Sequence, residues 1–164
     1  MWIEDEVQFD SVNQKKDRLY SVLSNSNYDG YIPTFWSSAV PLAPAMKADI
    51  PGVVNAFRIT EGGAPVLMSN GDKSVYTSGR YADPSIFEML TMPFVAGGTF
   101  TELHAIVITE KMAKKCFGDE KNVVGKTLKM DNKDTYVVSG VIKDWPLNVT
   151  ADKIWKRFSC RRQG

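Results

Sequence analysis

The stretch IVITEKMAKKCFG (residues 106–118) carries two structural periods in succession. Ile106-Val107-Ile108 is a short apolar run of the kind a buried strand uses. Thr109 then offers a capping hydroxyl, and Met112, Ala113, Cys116 and Phe117 recur at helical spacing, with Lys111, Lys114 and Lys115 left for water. Gly118 supplies the C-terminal stop. A strand running through a capped turn into an amphipathic helix is the expectation, with the lysines as a solvated face and not a binding patch.

Downstream, Thr127 to Met130 and Thr135 to Trp145 read as a hairpin around Asp131-Asn132-Lys133-Asp134. Upstream, Val66-Leu67-Met68 and Val75-Tyr76-Thr77 flank a second hairpin signal, Asn70-Gly71, whose return strand is expected to continue through Ser78, Arg80 and Tyr81. In ADPSIFEMLTMPFVAGG (residues 82–98), Asp83 is a candidate cap and Pro84 suits a first helical turn. There Ile86, Phe87 and Leu90 share a face, Pro93 stops the helix and Gly97-Gly98 turns the chain. Residues Asp10 to Asn13 suggest a short helical turn, Arg18 to Ser24 and Val53 to Ile59 suggest strands, Pro41 to Ala48 suggests a short helix, and Asn25 to Ser38 suggests a loop. Strands and short helices intermixed, with hairpins, give an α+β fold with a mostly antiparallel or mixed sheet.

The 164 residues are 43% hydrophobic and 24% charged, with a formal net charge of +1, which suits one globular domain or two small lobes. Near-neutral charge argues against nucleic acid as a partner, because phosphate binding needs concentrated Lys and Arg. Glu4, Asp5 and Glu6 open the chain and Lys153, Lys156, Arg157, Arg161 and Arg162 crowd its end, as solvated termini do. Cys116 and Cys160 show no CxxC pattern, and no apolar run approaches the roughly 20 residues of a membrane helix.

The chemical motifs fail on spacing. Gly125-Lys126-Thr127 resembles the tail of a phosphate-binding loop, but Glu120 stands where that loop needs glycine, and a strand is expected after Thr127 in place of a helix. Gly62-Gly63 and Gly97-Gly98 lack a dinucleotide fingerprint. His104 has no second histidine at ligand spacing, and Cys116 on an apolar helix face is a poor nucleophile. Asn148-Val149-Thr150 matches a glycosylation acceptor only in a eukaryotic secretory setting, and Trp2, Trp36, Trp145 and Trp155 form no repeat. The expectation is no catalytic residue, no cofactor-binding residue, no metal ligand and no cofactor.

Several stretches together resemble one family. Phe9-Asp10-Ser11-Val12 and Asp17 to Val22, then Pro41 to Lys47, Pro51-Gly52-Val53 and Arg58, are similar to the entry segments of bacterial permeases of the MacB/FtsX type, particularly Bacteroidetes variants. Asp83 to Leu90 through Gly97 resembles the family's "DPxFFxMxxxPFxxG" block. Ile106 to Lys115, Phe117-Gly118, Gly125 to Leu128 and Val138 to Pro146 resemble its "VVLTESMAKKYFG…PIGKTLK…VTGVxKDxP" run. The blocks keep family order across residues 3 to 147.

That resemblance implies a MacB-like periplasmic core domain over residues 1–148, divided into a larger lobe 9–95 and a smaller lobe 96–147, with 149–164 a truncated or atypical tail. It implies a periplasmic domain of a bacterial inner-membrane protein, lying between two membrane helices of an ABC transporter permease. Such a domain would couple ATP hydrolysis by a cytoplasmic ATPase to periplasmic change for export or mechanotransmission, catalysing nothing itself. The implied partners are that ATPase, a second permease copy, and a periplasmic adaptor or outer-membrane channel. Two rivals remain: a free-standing secreted or surface binding module using exposed Tyr28, Tyr31, Phe35 and Trp36, and a hydrolase whose site assembles only in three dimensions.

Overall fold

The longest strand among the described residues, Asp134–Ile142, organises the large sheet around it. The computed structural model describes residues 13–60, 63–118, 122–144 and 157–160. Within them the strands are β1 (Ser24–Asn25), β2 (Thr34–Phe35), β3 (Val66–Asn70), β4 (Lys73–Thr77), β5 (Arg80–Ala82), β6 (Phe94–Gly97), β7 (Ala105–Thr109), β8 (Thr127–Met130), β9 (Asp134–Ile142) and β10 (Arg157–Cys160). The α-helices are α1 (Leu42–Asp49), α2 (Ile86–Met89) and α3 (Glu110–Phe117).

Strand β9 pairs antiparallel with β8 through its first half and with β6 through its second, while β7 runs parallel to it. The large sheet has the order β4-β3-β8-β9-β7-β10-β5, with β6 attached to β9. Two of its pairings, β7 with β9 and β10 with β5, are parallel; the other five are antiparallel, so the sheet is mixed and mostly antiparallel. Strands from both sides of residue 95 share it.

Strand β7 explains the apolar run of the opening stretch. Ile106 and Ile108 face a core with Met112, Cys116, Phe117, Leu128 and Val138. Val107 faces the opposite core, with Ala82, Ile86, Met92 and Ile142. Buried on both faces, the strand cannot alternate with polar residues. The β7–β9 register shifts at Ile106/Val107, where Ser139 of β9 is the extra residue. The bulge reverses side-chain parity, so Tyr136, Val138 and Val141 share one core although their spacing is not uniformly two.

Helix α3 is as expected. The Thr109 hydroxyl accepts from the Met112 N–H at 3.2 Å, and Gly118 closes the helix at φ 73°. The hairpins also form, with refined turns. Asn70 pairs with Lys73, so the tight turn is Gly71-Asp72, with Gly71 at φ 57°. In the second, Asp131 and Asn132 take φ of 50° and 57° between Met130 and Asp134.

Five local expectations change. Residues 19–23 form no strand: Tyr20 is 85% exposed, and strand-favouring residues without a buried face or a partner ladder have nothing to pair with. A 3-10 turn, Lys16–Arg18, precedes them, and of the expected loop 25–38, Thr34–Phe35 pairs with Ser24–Asn25. Val53 to Ile59 is not a strand, apart from a single bridge from Ile59 to Ala82, because the Arg58 N–H donates to the Asp83 carboxylate where a ladder would need it. The return strand β4 stops at Thr77, and Arg80–Ala82 pairs instead with β10. Finally, Asp83 does not act as the helix cap. Ser85 holds that position without a side-chain cap bond, and Asp83 turns to Arg58. The expected turn at Asp10 to Val12, Gly62, Glu120, Asn148 to Thr150, Trp2, Trp145, Trp155 and the charged termini lie outside the described residues, apart from the backbone of Arg157.

Candidate functional site

The segment from Leu19 to Met46 holds one charged residue, Asp29, in a chain that is 24% charged. Its middle is a narrow antiparallel hairpin. Ser24 pairs with Phe35 and Asn25 with Thr34, and nearer the tip Tyr28 and Tyr31 bridge each other. The Tyr28 N–H donates to the Tyr31 carbonyl at 2.8 Å and the Tyr31 N–H returns to the Tyr28 carbonyl at 2.9 Å. Asp29 and Gly30 turn the chain at φ 50° and 89°, both left-handed as a two-residue hairpin turn requires. The Asn27 side chain accepts from the Gly30 N–H at 3.0 Å and fixes the apex.

The aromatic residues singled out in the sequence gather here without becoming core. Tyr28 is 60% exposed, Tyr31 70% and Trp36 76%, with Ile32 exposed beside them. Phe35 is the most covered of the set and meets Tyr28 edge-on, centroids 6.4 Å apart and planes at 75°. Strands β1 and β2 pair with each other and stand apart from the large sheet.

At the end of the low-charge segment lies a polar corner that sequence reasoning missed. The Arg58 guanidinium grips Asp83 in a bidentate pair, Nε to Oδ2 at 2.8 Å and Nη2 to Oδ1 at 2.9 Å. The two side chains are only 18% and 15% exposed. Hydrogen bonding to Asp83 holds the Arg58 pKa above its ordinary value. Nη1 reaches further, to the Val40 carbonyl at 3.2 Å, where the low-charge segment leads into α1. On the same side Ser85 donates its hydroxyl to the Ala56 carbonyl at 2.9 Å, and Asn55 donates to the Glu88 carboxylate at 2.8 Å.

The opposite end of α2 holds the chain's entry segment. The Gln14 N–H donates to the Thr91 hydroxyl at 3.0 Å, and the Lys15 ammonium donates to the Glu88 carbonyl. The Ile86 N–H at the start of α2 donates to the Asp83 carbonyl at 3.1 Å, so a strap at residues 13–15, helix α2, the Asp83–Arg58 pair and the Val40 carbonyl are joined in series. In the sequence Asp83 read as a candidate helix cap and Arg58 as part of an expected strand, each also within a family-like block; nothing in a one-dimensional pattern pairs an arginine with a carboxylate 25 positions away.

The remaining sequence candidates do not assemble into chemistry. Gly125-Lys126-Thr127 leads straight into β8, with the Gly125 N–H donating to the Val138 carbonyl at 2.8 Å, so its backbone is committed to the sheet and no helix follows. His104 is exposed and stacks edge-on against Tyr136 at 5.5 Å. Burial raises the Cys116 thiol pKa, which disfavours the thiolate a nucleophile needs. Among the described residues no group of three or more His, Cys, Asp or Glu is gathered to hold a metal ion. None of the described helices is long and apolar enough to cross a membrane.

A family model, the MacB-like periplasmic core domain, matches residues 1–155. A comparison with curated proteins finds no match. Among solved structures, a domain of a putative permease protein from Porphyromonas gingivalis is similar at 25% identity and TM-score 0.66, over 79% of this chain and 55% of that one. The periplasmic region of MacB from Actinobacillus actinomycetemcomitans is similar in fold at 19% identity and TM-score 0.60, over 84% of this chain and 63% of that one. The extracellular domain of the noncanonic ABC-type transporter YknZ from Gram-positive bacteria shares the fold at 17% identity and TM-score 0.54, over 72% of this chain and 59% of that one. The chain spans less than two thirds of each of these three structures.

Proposed function

The chain belongs to the family of MacB-like periplasmic core domains, and from that premise we propose that it couples ATP hydrolysis on a cytoplasmic partner to rearrangement outside the cytoplasm. The family match over residues 1–155 carries this reading. In it, the domain is part of an ABC transporter permease of a bacterial inner membrane, working as a permease homodimer beside a separate ATPase. It performs no catalysis of its own; its product is movement, passed to a periplasmic adaptor or outer-membrane channel during export or mechanotransmission.

The corner supports a transmitting role. Movement arriving at the strap would pass to α2 through Gln14–Thr91 and Lys15–Glu88, and onward to the low-charge segment through Asp83–Arg58–Val40. Transmission over distance needs an element with few stable arrangements that both ends can bias. A bidentate arginine–carboxylate pair has fixed planar geometry and suits such an element.

The test is the intact permease with its ATPase in lipid nanodiscs, spin-labelled at Ser26 and Ser74, with the label separation followed across the ATP cycle. The expected result is an ATP-dependent change that Arg58→Gln abolishes while hydrolysis continues. A separation indifferent to ATP, or ATP hydrolysis by the isolated domain, would refute the reading.

A further inference from the structure

The hairpin at residues 24–36 presents Tyr28, Tyr31, Ile32 and Trp36 to solvent. Its rings are exposed, yet its backbone is held by the reciprocal Tyr28–Tyr31 bonds, the left-handed Asp29-Gly30 apex and the Asn27 side chain. Rings presented on a closed turn lose little freedom on binding, which is how a preorganised recognition element gains affinity. The surrounding mixture of Tyr, Ser, Asn, Gly and Trp matches protein-recognising loops, where rigid aromatics supply area and small polar residues supply hydrogen bonds.

We propose that this hairpin inserts its aromatic tip into an apolar-walled groove on an extracytoplasmic protein partner, with one cationic or N–H donor at the groove floor to meet Asp29. Charge selects the occupant. Residues 19–46 contain no Lys or Arg, so the segment has no grip on phosphates or anionic headgroups. Asp29 at the apex opposes entry into hydrocarbon. Two copies meeting tip to tip would set Asp29 against Asp29, a like-charge contact. A groove that is apolar on its walls and carries one donor at its floor satisfies the rings and the carboxylate together. The inference rests on placement of the domain outside the cytoplasm, and not on the coupling role.

The test installs p-benzoylphenylalanine in place of Tyr31 in the native full-length protein, irradiates intact cells, identifies the adduct, and purifies the captured protein for titration against the unmodified domain. The expected result is an extracytoplasmic protein whose affinity falls at least about tenfold with Tyr31→Ser and again with Trp36→Ser, as anchor residues do. Asp29→Asn is expected to weaken it as well, and all three variants should keep the parental unfolding temperature. Capture alone does not suffice; affinity unchanged by Tyr31→Ser and Trp36→Ser overturns the proposal. An adduct with lipid, glycan or a second copy, or no adduct, also overturns it, while an adduct with a cytoplasmic protein overturns the placement instead.

Discussion

Arg58 and Asp83 are bound to each other through both side chain and backbone. Two guanidinium bonds of 2.8 and 2.9 Å join a bond of 2.9 Å from the Arg58 N–H to the same carboxylate and one of 3.0 Å from the Asp83 N–H to the Arg58 carbonyl. The carboxylate therefore does for residue 58 what a neighbouring strand would otherwise do. Asp83→Asn leaves a half-buried guanidinium facing a neutral amide, with an expected loss of about 1–3 kcal/mol. For a domain of this size that is roughly 2–4 °C in melting temperature per kcal/mol. Calorimetry that finds no change would show the pair to be dispensable.

Gly97 and Gly140 are confined by backbone. A Cβ on Gly97 would meet the Ser139 carbonyl oxygen at 2.2 Å, and one on Gly140 would meet the Gly98 carbonyl oxygen at 2.2 Å and the Phe94 ring at 2.7 Å. Gly97 also has φ +65°, which costs an L-residue about 1–2 kcal/mol. Either glycine to alanine change is expected to separate β6 from β9 and destabilise the domain by about 1–3 kcal/mol or more. Gly63→Ala, at a position with open space, is the control and should be near neutral in urea unfolding.

Thr109 joins the most buried strand to the amphipathic helix through one hydroxyl. Thr109→Ala should cost about 1 kcal/mol, and Thr109→Ser should restore most of it. Equal stability of the two variants would assign the effect to the methyl group and not the cap.

Cys116 gives the domain an alkaline limit. Burial raises its pKa above the ordinary 9.0, so the folded state keeps the proton where the unfolded chain releases it. Its contribution is fully present below about pH 9 and is lost as pH rises towards the higher native value. Unfolding free energy should fall more steeply above pH 9 in the parent than in Cys116→Ala. Parallel curves would count against a buried neutral thiol.

Legibility in the sequence followed the range of the forces. The β7–α3 unit was readable because its determinants, Ile106 to Ile108, Thr109 and Gly118, act within a few residues. Both hairpins were readable through residues that tolerate positive φ, although Asn70 proved to close the ladder while Gly71 made the turn. Residues 19–23 misled because Leu19, Tyr20 and Val22 carry strand propensity that only a partner could realise. Asp83-Pro84 resembled a helix start because an N-cap aspartate and an arginine clamp use the same side chain. The choice lay with Arg58, 25 residues away. The aromatics of the hairpin were noted in the sequence, but their exposure was not readable there, since a tyrosine that packs and one that projects are spelled alike.

Strand β10 has a consequence for how the molecule is made. It lies between β7 and β5, antiparallel to one and parallel to the other, so β5 joins the large sheet through residues synthesised some 75 positions later. Until Arg157–Cys160 leaves the ribosome, the growing chain holds a vacant strand position beside its most apolar ribbon. Loop closure over that separation is slow, and an open ribbon invites strands from other chains. Successful production of the domain should therefore depend on the pace at which β10 arrives, and a chaperone that shields β7 during that interval would raise the yield without altering the pairing of the sheet.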